Sequence, residues 1–222
     1  MDPGFACILL SRLNRIDMRL PYLRFSYLSE DYRAFVDFWR QLYRPNEKTL
    51  PLYLNNIDKK RFTSSDIADL FRWKNGMEYK RNVTKRKSVQ LVQHNLELVN
   101  QLKQNFDEEL FQETFGQMGA IWQIFLLHLI DPNHFPIFDQ HVYRTHLFLM
   151  HGEIRPIPSY KKTKLDYYQS VYLPFFNQVC RRHRIDRFHL DNALWTLGRF
   201  LLQPEANTTT EGRAKSRKRR KQ

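Results

Sequence analysis

The 222-residue chain is 42% hydrophobic and 14% aromatic, enough for one compact domain with a sizeable core, which excludes wholesale disorder. Its 36 Lys and Arg against 23 Asp and Glu give a formal charge of +13; no apolar run reaches the ~20 residues of a membrane span, and the balance favours an anionic partner such as nucleic acid. Only seven glycines occur, roughly half the usual share, which disfavours turn-rich β architecture, and the absence of GxGxxG and GxxxxGK[ST] loops excludes those two kinds of nucleotide chemistry.

The charge is uneven. Residues 204–222 hold seven basic and two acidic side chains and read as a disordered tail of +5; the rest keeps 29 basic against 21 acidic, a body of +8. Cys7 and Cys180 cannot form a four-cysteine zinc or iron–sulfur site and make no disulfide framework, so a reducing, cytoplasmic setting is the expectation. Phe5 to Leu10 is shorter than a signal-peptide core. Residues 1–17 read as a detachable extension with Met18 as an alternative start, and residues 18–203 as one all-α domain.

In chain order, Ser29 caps a helix over about 30–43 with Phe35, Phe38, Trp39 and Leu42 inward. Thr63, Ser64 and Ser65 open a second, which stops at Asn75-Gly76. A long surface helix over about 84–104 buries Val89, Val92, Leu96 and Val99. Asp107, Glu108 and Glu109 start a shorter helix ending near Phe115-Gly116. Ala120 to Ile130 is apolar nearly all round and reads as the central buried helix. Phe135-Pro136-Ile137-Phe138 runs extended, since residues before proline avoid the helical region. Asp139 begins a helix that ends at Gly152, residues 153–162 form a proline-rich connector, and helices over 164–183, perturbed at Pro174, and 188–203 close the domain.

The chemistry concentrates between Phe115 and Arg144. Gly116 and Gly119 sit between two helices, where a tight hairpin leaves backbone amides free and the next helix adds a positive pole; such a turn either holds a phosphate or merely connects two helices. Asp139 precedes a helix, where dipole and free amides favour its ionised form, and serves either as a plain N-cap or as a reactive carboxylate.

These residues resemble the hairpin and aspartate segment of the helix-hairpin-helix DNA glycosylase superfamily, which includes the endonuclease III and alkylpurine glycosylases, and in particular its small bacterial, phage-defence-type members. There an LPGxG-type hairpin is followed about twenty residues later by a VDTHVxR-type segment; here Gly119 leads to Asp139 in Phe138-Asp139-Gln140-His141-Val142-Tyr143-Arg144. A looser likeness extends to Trp73-Lys74-Asn75-Gly76 and to Asp191-Asn192-Ala193-Leu194-Trp195-Thr196-Leu197-Gly198. The hairpin FGQMGA departs from the pattern, its glycines being three apart, and Ile121 stands where the bifunctional members carry a Schiff-base lysine.

The resemblance implies an all-α helical bundle around the central helix and a monofunctional glycosylase. It would flip a modified base out of double-stranded DNA and hydrolyse its N-glycosidic bond with Asp139 and water. Gly116, Gln117, Gly119 and Arg144 would meet the DNA backbone, Arg144 alternatively holding Asp139 in place. Trp73, Lys74, Asn75, Phe138 and His141 would line the base pocket, with Phe135 and Tyr143 as further wall candidates and Trp122 and Phe125 assigned to the core. Lys74 and Asn75 read equally as a solvated helix end. A monovalent cation at the hairpin is conceivable; zinc and an iron–sulfur cluster are not expected, since His141, His146 and His151 are spaced by five and leave one helix face. Basic groups at Lys59-Lys60-Arg61, Lys80 to Lys87 and Arg181-Arg182-His183-Arg184 suit a DNA-facing groove or simple solubility. The expected protein is a DNA-associated monomer with no membrane partner, and a hypermodified phage base such as glucosylated hydroxymethylcytosine is one substrate it would fit. Three other readings stand beside it: a repair glycosylase for a damaged base, a noncatalytic helix-hairpin-helix DNA-binding module, and a structural or RNA-associated helical protein.

Overall fold

A computed structural model describes residues 31–75, 79 and 82–201. The proposed N-terminal extension, the Ser29 cap and the basic tail lie outside the described residues. Within them the protein is all-α, with no strand, and no helix is long and apolar enough to cross a membrane.

The helices are α1 (Tyr32–Gln41), α2 (Leu50–Leu54), α3 (Ser64–Asn75), α4 (Val83–His94), α5 (Leu96–Leu102), α6 (Glu108–Phe115), α7 (Ala120–Ile130), α8 (Gln140–His151), α9 (Lys161–Tyr167), a π-helical turn (Tyr168–Tyr172), α10 (Leu173–His183) and α11 (Arg187–Phe200). Local chemistry sets most boundaries. Asp31, Asn82, Asp107, Asp139 and Asp186 each accept first-turn backbone N–H groups. Thr63 and Asp66 bond reciprocally at the head of α3 as a capping box, Thr63 N to Asp66 Oδ2 at 2.8 Å and Asp66 N to Thr63 Oγ1 at 3.3 Å. Gly152 closes α8 in the left-handed region (φ 68°), which a residue without Cβ enters at no steric cost.

Three expectations are corrected. The helix foreseen over 84–104 breaks at Asn95, whose side-chain Nδ2 donates to the Leu91 carbonyl (2.9 Å) and competes with continuation of the helix. Leu42 lies just past α1 and is 44% exposed. The segment after the connector is three elements: α9 starts at Lys161, and the π turn absorbs the missing N–H and ring clash of Pro174, leaving proline in the first turn of α10.

The buried apolar side chains form two clusters. One gathers Tyr53, Ile67, Leu70, Phe71, Val92, Val99, Phe111, Phe115, Met118 and Phe125 from α2 to α7. The other gathers Phe35, Val36 and Trp39 of α1 with residues of α8, the π turn, α10 and α11. The chain thus begins in the second cluster, builds the first, and returns. α7 lies between them, presenting Phe125 to one and Ile124 to the other. At the return, α8 crosses α11 so closely that a Cβ on Gly198 would stand 2.0 Å from the His141 carbonyl oxygen.

Candidate active site

Where the two clusters meet, the carboxyl end of α3 and the amino end of α8 bring Lys74 and Asp139 together, and Asp191, past the first turn of α11, is electrostatically coupled to both. Asp139 arrives on a pinned segment. His134 O accepts from Arg187 Nη2 (3.1 Å), Phe135 O from His128 Nδ1 (2.8 Å) and Pro136 O from the Tyr168 hydroxyl (3.0 Å). The Phe135 carbonyl needs a donor, so His128 carries its proton on Nδ1 and its Nε2 accepts the Tyr53 hydroxyl at 2.8 Å. Burial holds His128 neutral, with its pKa lowered to about 3.

Asp139 Oδ1 accepts the N–H groups of His141 (2.8 Å) and Val142 (3.1 Å), and Oδ2 lies 3.5 Å from Lys74 Nζ. The carboxylate side chain is 19% exposed and the Lys74 side chain 9%. Burial pushes the Asp139 carboxyl upward, but Lys74, His141 and the two amides outweigh it and hold it below the ordinary value. Asp139 is therefore an anion at neutral pH. The carboxyl of Asp191 behaves oppositely: burial, with Asp139 adding and Lys74 opposing, pushes it up to about 7.

Two aromatic groups meet at these charges. Trp73 stacks on Tyr53 (ring centroids 4.1 Å), which faces the exposed ring of Phe188 (6.5 Å). Trp195 meets Tyr43 and His141 edge-on, each at 5.5 Å. Tyr43 and Tyr53 both sense Asp191 electrostatically. Sequence reasoning did not single out Tyr43, Tyr53 or Asp191 as site residues; Asp191 carried one legible signal, an acid wedged into the buried leucine stripe of α11 between Leu190 and Leu194.

Among the residues expected at the site, Trp73, Lys74, Asp139 and His141 gather here. Asn75 is turned to Lys85 Nζ. Phe138 is corrected: at 1% exposure it packs among Tyr143, Tyr167, Tyr168 and Tyr172 and belongs to the second core. Tyr143 packs edge-on against Tyr167, and Phe135 against Phe106. Arg144 is corrected as a phosphate ligand: it is 4% exposed and donates to the Gly198 carbonyl (2.6 Å), with His141 Nδ1 at 3.3 Å, tying α8 to α11 behind Asp139.

The hairpin follows α6. Met118 plugs into the first core, while Gln117 and Gly119 are exposed. No side chain caps α7, and the space around the missing Cβ of Gly119 is open, so its first-turn amides can receive an anion. Lys161 Nζ donates to the Gly116 carbonyl, so one oxygen that a monovalent cation would use there already holds an ammonium. Among the described residues no group of three or more His, Cys, Asp or Glu is placed to hold a metal ion. Ile121 packs against the second cluster.

Of the basic groups, Lys59 pairs with Asp66 (2.6 Å) and Arg61 with Glu97 (2.6 Å), Lys80 and Arg81 lie outside the described residues, and Arg181, Arg182 and Arg184 are exposed. Comparison of the chain with known protein families, curated proteins and solved structures finds no match.

Proposed function

We propose that this chain is a monofunctional DNA glycosylase of the helix-hairpin-helix type, hydrolysing the N-glycosidic bond of a modified base flipped from duplex DNA. The observation that carries the reading is the state of Asp139: an anion fixed by two backbone amides and Lys74, in an aromatic-lined junction, twenty residues beyond an exposed glycine turn. Breaking the bond develops positive charge on the sugar, and a preorganised carboxylate stabilises it while orienting a water. The flipped base would stack against Trp73 or Trp195, whose rings are partly exposed beside the Asp139–Lys74 pair. A body of +8 and an uncapped helix end suit the phosphate backbone.

The test is release of free bases, read by mass spectrometry, from duplexes carrying damaged bases and from hydroxymethylated and glucosylated phage DNA. Asp139→Asn should cut release at least about a hundredfold while binding to a duplex with an abasic-site analogue persists. An unchanged rate removes Asp139 from the chemistry, and binding with no release by the wild-type chain points to a noncatalytic module. Because Ile121 cannot form an imine and Lys74, the amine beside the site, is ion-paired with Asp139, borohydride treatment during turnover should trap no protein–DNA adduct.

A further inference from the structure

The hydrolytic scheme above leaves Asp191 unused, although it is the most unusually placed acid in the protein. Its Oδ1 is fully buried and has no hydrogen-bond partner. The groups coupled to it electrostatically are Lys74 of α3, Asp139 at the head of α8, Tyr43 beyond α1, Tyr53 of α2, and Tyr168 and Tyr172 of the π turn. Two of those hydroxyls are already committed, Tyr53 to His128 and Tyr168 to the Pro136 carbonyl.

One ammonium therefore acts on two carboxyl groups, in contact with Asp139 and coupled through the low-dielectric interior to Asp191. Asp139 takes the negative charge, because it also has two backbone donors and the positive end of α8. Asp191, past the first turn of α11, has none of these, and a carboxylate oxygen sealed from solvent without a donor disfavours the charged form. Two like groups in one site are pushed to opposite protonation states, the arrangement that lets a single site run acid and base chemistry at one pH.

We propose that Asp191 is the acid of the reaction, giving its carboxyl proton to the departing base while Asp139 serves the sugar and the water. This step rests on the glycosylase reading. The C1′–N bond breaks with its electron pair moving onto the base, which takes the proton from Asp191. The water oxygen bonds to C1′ and its proton passes to Asp139. Free base and an abasic sugar leave, and return of the proton from Asp139 to Asp191 restores the starting state. Because Oδ1 is sealed while Asp191 as a residue is partly exposed, Oδ2 is the oxygen that gives the proton to the flipped base.

The experiment compares wild type with Asp191→Asn on two substrates, one whose base must be protonated to leave and one whose base leaves as a stable anion. For the first, Asn should cost about a hundredfold or more; for the second the loss should shrink to about threefold, because only proton donation is missing. The alkaline limb of the wild-type pH–rate profile should vanish in Asp191→Asn. In parallel, carbon NMR titration of the free protein should show a carboxyl protonated near neutrality that disappears in Asp191→Asn and titrates lower in Asp139→Asn, where the neighbouring charge is gone. Equal losses on both substrates, or an Asp191 carboxyl ionised at ordinary carboxylate pH, overturn the assignment. Absence of base release by wild type on every DNA overturns the glycosylase reading and this step with it, whereas an active enzyme indifferent to Asp191→Asn overturns the donor alone.

Discussion

Asp191 and His128 make the stability of this protein depend on pH in opposite directions. His128 is buried neutral, so the unfolded chain binds a proton that the folded one refuses. Its contribution is complete above the unfolded value of 6.5 and is lost as pH falls toward about 3, up to about 4–5 kcal/mol if nothing relaxes. Asp191 is held protonated, so the folded state binds more protons than the unfolded one between 3.8 and about 7, and stability drains as pH rises through that window. Asp191→Asn should then stabilise the fold by roughly 2–4 kcal/mol at pH 8 and by little at pH 4, measured by urea unfolding. Equal gains at both pH values would show that Asp191 is not held protonated. That a residue proposed for chemistry should cost stability is the ordinary pattern of active sites.

The helices divide sharply between those the sequence displays and those it hides. α8 and α11 were legible because their leucines and valines recur at helical spacing, and α7 because it is apolar nearly all round; Gly119, Asp139 and Gly152 marked ends of α7 and α8. α2 is five residues long and offers no period, so Tyr53 went unnoticed. Asp191 was hidden for another reason: helical periodicity assigns an aspartate to solvent, and only the folded chain seals its Oδ1 and couples it to Lys74 and Asp139 from distant parts of the sequence. Glycine substitutions test how the elements hold the site. Gly198→Ala forces the α8–α11 crossing apart against a backbone carbonyl and should lower stability by about 3 kcal/mol or more, with loss of any Asp139-dependent activity. Gly119→Ala meets open space and should leave the denaturation midpoint within about 0.5 kcal/mol of wild type yet weaken duplex binding, since it crowds the uncapped amides. Equal stability loss in both variants contradicts this division of labour.

Across the whole molecule, charge and connectivity carry the argument. If the +8 body and +5 tail both meet phosphates, the logarithm of duplex affinity should fall linearly with the logarithm of salt concentration, and ending the chain at Gln203 should make that slope shallower by about 0.9 per lost phosphate contact. Truncation without effect on the slope would assign binding to the body alone. Composition made the sign of this surface plain, but not its layout: Lys59 and Arg61 are spent on Asp66 and Glu97, contacts that no linear reading foretells.

The discontinuous second cluster also fixes when the site comes into being. α1 emerges from synthesis with Phe35, Val36 and Trp39 bare, and its partners lie far downstream; the bond from Arg33 Nε to the His183 carbonyl spans 150 positions. Everything from α2 to α7 can settle first on local contacts, because short loops close at lower entropic cost than long ones. Lys74 is then in place while Asp139 and Asp191 are still unpaired strangers, and the three meet only as α11 docks against α1. A junction drawn from α3, α8 and α11 is complete only once the last of these helices is in place.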